Sequence, residues 1–191
     1  MTVSTSRVLD APATTLVTGA ELLEMGDIGP CELIDGRIVP MPPAGEEHGT
    51  IELTLGAELR SFVRRHRLGR VASGEAGIFI RHDPDRIRGA DILFISSERA
   101  TGSPGKGYLE IAPDLVVEIM SPNDRWQDVR RKLEDYFSIG VRWVWVVEPE
   151  NRAILVYQSL SDVTVLGEAD VLRGDGVLEG FEIAVRDVFE G

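Results

Sequence analysis

Apolar positions change period several times along the chain, and each change marks an element. Over residues 46–66, Ile51, Leu55, Leu59, Phe62 and Val63 recur at helical spacing and line one face of a long helix. Before it, Thr18 with Glu21 three residues on forms a capping-box pattern for a short helix ending near Gly26. Residues 32–34 and 37–39 flank Asp35-Gly36, a tight-turn pair that predicts a hairpin. Short apolar alternations predict strands at 71–73 and 77–81, and the denser runs 90–95 and 114–120 predict strands buried on both faces. Ser121-Pro122 predicts the start of a second helix whose stripe is Trp126, Val129, Leu133, Tyr136 and Phe137, stopped by Gly140. Residues 141–147 and 153–157 read as a further strand pair, and 185–189 as a short closing helix. Residues 96–112, with three glycines and Pro104, read as a mobile loop. The sum is an α/β (α+β) chain with a mixed sheet, a loose N-terminal tail over 1–15 and one domain over 16–191.

Composition suits that reading: 191 residues, 43% hydrophobic and 27% charged, enough to bury a core and unlike a disordered chain. No apolar run approaches the length of a membrane span, and one cysteine, Cys31, allows no internal disulfide. The expectation is a cytoplasmic protein. The net charge of −12 argues against general electrostatic capture of nucleic acid. The surplus is local, however. Residues 21–35 hold five acids and no base, residues 148–191 hold ten acids against three bases, and together they account for all of it. Between them lies a basic run, Arg60, Arg64, Arg65, Arg67 and Arg70, the place where phosphate contact is expected.

Two acids interrupt the apolar runs. Asp91 sits inside Ala90-Asp91-Ile92-Leu93-Phe94 and Glu118 inside Val116-Val117-Glu118-Ile119-Met120. A buried carboxylate costs several kcal/mol unless a positive group offsets it. An arginine partner or a strand-end cap answers that cost, and so does Mg²⁺, which favours one or two carboxylates with waters. Lys132 flanks the stripe of the second helix and can snorkel toward Glu118 or stay solvated. His48 shares the inward face of the long helix; a ligand, a proton shuttle and a hydrogen-bonded core histidine all suit it. Glu32 reads on pattern alone as an exposed edge acid. Nucleophile-elbow, phosphate-loop, dinucleotide and zinc-protease motifs are absent.

The blocks CELIDGRIVPMPPAGEEHG, GADILFIS, GYLEIAPDLVVEIMSPND and RRKLEDYFSIGVRWVWVVEPENRAILVY, in that order, resemble the Uma-two family of bacterial restriction endonucleases. The resemblance implies the PD-(D/E)XK restriction-endonuclease-like core, a mixed central sheet flanked by helices. It also implies Mg²⁺-dependent (or Mn²⁺-dependent) hydrolysis of nucleic acid, DNA first. Carried over by position, Asp91 and Glu118 are the metal-binding acids, with the Ile119 carbonyl. Lys132 is the lysine displaced onto the following helix, and Glu32 and His48 are an additional acid and histidine. Two departures stand out. Ala90 replaces the usual proline before Asp91, and Met120 holds the place of the E-x-K lysine, so Lys132 must reach the site through space. Gln127 and Asp124 lie near the site without an assigned role. The rival reading is a catalytically idle binding or assembly module of the same fold, with Trp143-Val144-Trp145-Val146-Val147 as its candidate dimer contact, although a core strand suits that segment better. A homodimer is expected.

Overall fold

The computed structural model describes residues 15–100, 102, 104–122 and 124–190; the expected tail lies almost wholly outside them. The chain runs α1 (Gly19–Glu24), β1 (Cys31–Ile34), β2 (Arg37–Pro40), α2 (Glu46–His66), β3 (Gly69–Arg81), β4 (Arg86–Ser96), β5 (Leu115–Ile119), α3 (Trp126–Ser138), β6 (Trp143–Glu148), β7 (Ala153–Ser159), β8 (Asp162–Leu166), β9 (Val171–Arg173), β10 (Glu182–Ala184) and α4 (Val185–Phe189). The Thr18 cap of α1 is the reciprocal one expected, with Glu21 returning to the Thr18 backbone.

Eight strands form one mixed sheet in the order β2-β1-β4-β5-β6-β7-β8, with β3 also paired to β4. Among the named strands of the described residues, β5 and β6 are the parallel pair, joined through α3. β3 accompanies β4 along nearly its whole length. On the other side β1 meets β4 at Ile87 and β5 meets it from Ile92 to Phe94. The interval between those two partners, residues 88–91, is where the charged side chains gather.

The two sheet faces are covered by different helices. Ile51, Leu55, Leu59 and Val63 of α2 pack on Ile92, Phe94, Val117 and Trp145, with α4 beside them. Val129, Leu133 and Tyr136 of α3 pack on Ala90, Leu93, Val116 and Val146. Each fully buried aliphatic side chain stabilises the fold by about 1.5–3 kcal/mol. Regular alternation would put Ala90 and Ile92 on one face, yet they belong to opposite ones. β4 therefore switches face at Asp91.

Several expectations change. The 71–73 and 77–81 strands are one strand, β3, broken by a bulge between Ser73 and Ala76. Helix α3 starts at Trp126, later than Ser121-Pro122, because Asp124 first closes a turn on the Ser121 N–H. Trp126 thus falls at the helix tip, 43% exposed. Glu32 is a buried residue of an inner strand. The Trp143–Val147 segment is interior sheet between β5 and β7, the core strand that its apolar run favoured over a dimer contact. Leu109, within the expected loop, is bridged to β3 by backbone hydrogen bonds with Gly77 and Phe79.

Candidate active site

Antiparallel pairing sets the first element of the site. The β4–β5 ladder ends at the Ile92–Val117 pair, and Asp91 and Glu118 are the next residues on the two strands. Both are buried, at 5% and 7% exposure. Asp91 Oδ2 accepts from the Ile119 N–H at 2.6 Å, stitching β4 to β5 where their ladder ends. Its other oxygen faces His48 Nε2 at 3.4 Å.

Glu118 is held from α3. Lys132 Nζ donates to Glu118 Oε2 at 2.6 Å, and the Tyr136 hydroxyl donates to Oε1 at 2.5 Å. The two donors are four apart on one helix and so share a face. Lys132 also lies 3.7 Å from Glu32 Oε1. Glu32 is itself clamped, accepting from Arg88 Nη1 at 2.7 Å and from the Gly89 N–H at 3.2 Å. Arg88 turns its Nε to Asp135 at 2.7 Å, and Asp135 takes Arg86 as well. A chain of alternating charges therefore leads from Lys132 through Glu32, Arg88, Asp135 and Arg86 to Asp35 near the surface.

The electrostatics follow from this crowding. Burial lifts the Glu118 carboxyl to about 7, the Asp91 charge adding to the lift and Lys132 and Tyr136 opposing it. Burial alone would lower the Lys132 ammonium, but the Glu118 and Glu32 carboxylates outweigh it and hold its pKa above the ordinary value. The hydrogen bond to Asp91 raises His48 against the effect of burial. His48 Nδ1 is buried and, among the described residues, has no hydrogen-bond partner.

The structure thus brings Asp91, Glu118, Lys132, His48 and Glu32 into one cluster and adds residues that the sequence pattern does not reveal. Arg88, Tyr136 and Asp135 are partners by contact alone. Glu75 arrives from the β3 bulge, in a left-handed conformation rare for a non-glycine residue (φ 57°) after Gly74 (φ 79°). Glu52, one turn after His48 on α2, pins that bulge by accepting the Gly74 N–H at 2.8 Å. Although Glu75 opens to solvent, its carboxyl is crowded by protein and by Asp91 and rises to about 7. A Cβ on Gly89 would lie 2.6 Å from Glu75 Oε2, so a bare glycine there lets the carboxylate in. The bulge and the glycine were the only signals available, and neither names a role.

The basic run stays apart. Arg60, Arg64, Arg65 and Arg67 surround an open depression of about 670 Å³. At 1.5 Å per residue they lie roughly 18–28 Å along α2 from His48. Arg64 and Arg65 also complement the helix C-terminus.

Comparison with known proteins settles the family. The profile of Uma2, described as "Putative restriction endonuclease", matches residues 20–186. The chain belongs to the Uma2 family. A solved structure described as a "putative nuclease belonging to DUF820" from Anabaena variabilis ATCC 29413 superposes on this Uma2 chain with a TM-score of 0.77. The two are 20% identical, and the match covers 91% of this chain and 98% of the other. The Uma2 chain therefore has the restriction-endonuclease-like core read from its sequence. No curated protein matches it. Among the described residues no helix is long and apolar enough to cross a membrane.

Proposed function

We propose that the chain is a Mg²⁺- or Mn²⁺-dependent endonuclease that hydrolyses phosphodiester bonds of DNA. The observation that carries this reading is the convergence of Asp91, Glu118 and Lys132, residues from two strands and a helix, around one buried point. The donor set fits the ion. Burial lifts Glu118 to about 7 and the neighbouring Asp91 charge adds to the lift, and a cation would offset both. Among the described residues no group of three or more His, Cys, Asp or Glu is disposed to cage a metal. Attachment through one or two carboxylates, with water elsewhere, is the habit of Mg²⁺ and not of structural zinc. Asp91 and Glu118, with the Ile119 carbonyl, would hold the cation, which when bound polarises the phosphate and acidifies a water.

The chain's own groups supply the rest. Lys132, kept charged by Glu118 and Glu32, neutralises charge that builds on the phosphate as water adds and the leaving oxygen departs. Glu32, tied by Arg88 and the Gly89 N–H, holds Lys132 in place from 3.7 Å. His48, at hydrogen-bond reach of Asp91, can relay a proton. The Arg60–Arg67 group would grip backbone phosphates away from the cut. A homodimer belongs to this reading, because one site cuts one strand.

Plasmid cleavage with Mg²⁺ or Mn²⁺ tests it. Nicking or linearisation is expected for the unaltered protein and not for Asp91→Asn or Glu118→Gln. Cleavage that survives both substitutions overturns the assignment.

A further inference from the structure

Beside the carboxylate cluster lies a cavity of about 480 Å³ that no step above uses. Glu47, Met120, Asp124, Trp126, Glu148 and Glu150 line it. It shares Met120 and Asp124 with the small cleft formed by Glu118 and Lys132. A ligand bound at the carboxylates thus has this cavity next to it.

Its lining is chemically one-sided. Four carboxylates against one hydroxyl, that of Ser121, make acceptors outnumber donors, which repels a phosphate and suits a ligand rich in N–H groups. Trp126 stands 43% exposed at the tip of α3 and contributes its wide ring to the cavity wall. A flat face for stacking beside carboxylate acceptors is how proteins hold an unstacked nucleobase. Carboxylates accept from the cytosine amino group, and guanine offers a matching N–H pair along one edge. The volume falls within the range of small-molecule sites and exceeds a single base.

We propose that this cavity is a nucleobase pocket, receiving an unstacked cytosine or guanine next to the phosphate that Lys132 and the cation at Asp91 and Glu118 would hold. The proposal rests on the nuclease reading for its neighbour, though not for its own chemistry. It makes the enzyme prefer single-stranded, looped or mismatched substrate, where a base is free to leave the stack at little cost. The acidic surplus of residues 148–191 acquires a use here, since Glu148 and Glu150 belong to it.

Calorimetric titration of the full chain with cytidine, guanosine, thymidine and spermidine, without metal, tests the pocket apart from hydrolysis. Cytidine and guanosine should bind, with thymidine at least about tenfold weaker. Trp126→Ala should weaken cytidine binding about tenfold, a loss within the range for one stacking ring, and Trp126→Phe should recover most of it. Glu150→Gln should narrow the gap between cytidine and thymidine. Circular dichroism confirms that each variant is folded. Absence of nucleoside binding, equal binding of thymidine, or binding unchanged in Trp126→Ala overturns the proposal. Spermidine bound in place of the nucleosides assigns the cavity to cations and overturns it too. A protein that cleaves DNA yet binds no nucleoside loses only this pocket; one that binds cytidine but never cleaves loses only the nuclease reading.

Discussion

Lys132 donates to Glu118 at 2.6 Å although fourteen positions separate them. Met120 occupies the position where an E-x-K motif places its lysine, and α3 returns a lysine to the same carboxylate from above the sheet. The local motif is broken while the spatial pair is intact. Lys132→Met is therefore expected to lower kcat by on the order of 10²–10³-fold with little change in KM, the loss typical of one removed charge stabiliser. Steady-state cleavage of a labelled oligonucleotide gives both constants.

The metal-free protein should lose stability as pH rises toward neutrality. Glu118 and Glu75 have folded-state values of about 7 against an ordinary 4.5. A carboxyl raised on folding favours the native state fully below its unfolded pKa, and that support is lost as pH climbs through the folded value. His48, raised as well, pushes in the same direction. Thermal melting with EDTA should show Tm falling from about pH 5 to about pH 7.5, with a shallower fall in Glu118→Gln. If the cation binds as proposed, Mg²⁺ added at the upper end restores Tm in the parent and not in that variant.

Gly89 and Glu75 should behave as one unit. An alanine at 89 meets only the mobile end of Glu75 at close range, with Met41 in ordinary contact, so Gly89→Ala should cost under about 1 kcal/mol of stability. It should still displace the Glu75 carboxylate and change cleavage rate. Glu75→Gln should change the rate similarly, and the double variant should add nothing further. Additive effects in such a cycle would separate the two residues.

Arg88 is 8% exposed and serves both Glu32 and Asp135. Arg88→Met leaves Asp135 to Arg86 alone and Glu32 to the Gly89 N–H and Lys132, and the expected loss is up to about 3–5 kcal/mol in urea unfolding. Replacing Glu32, Arg88 and Asp135 together by apolar residues of similar volume should recover much of that stability without recovering cleavage.

If the Arg60–Arg67 group contacts phosphates, Arg60→Ala with Arg64→Ala should weaken DNA binding equally for different sequences. The slope of log K against log salt should fall by roughly 2. Fluorescence anisotropy over a salt series measures it, and an unchanged slope removes these arginines from the interface.

The residues that the sequence made legible are those whose neighbours are local. The stripe Ile51, Leu55, Leu59 and Val63 predicted α2 because each buried position lies within a turn of the next. Asp91 and Glu118 were visible as acids inside apolar runs. Glu32 was misread because its compensating charge, Arg88, lies 56 positions away. Glu75 was missed because its direction depends on a left-handed bulge that no periodicity records. Trp126 was placed in the buried stripe because the turn closed by Asp124, which delays α3, leaves the apolar spacing unchanged.

The Ile119 N–H bond to Asp91 has a consequence for ancestry as well as for experiment. The same oxygen that would serve a cation also ties two strands together, so the aspartate is held in place by the architecture whether or not it cuts anything. A descendant that gave up hydrolysis would still be selected to keep it, and an unbroken set of acids is no proof of a working enzyme. Asn at position 91 preserves the acceptor while removing the charge. Comparing it with Ala separates the seam from the catalyst.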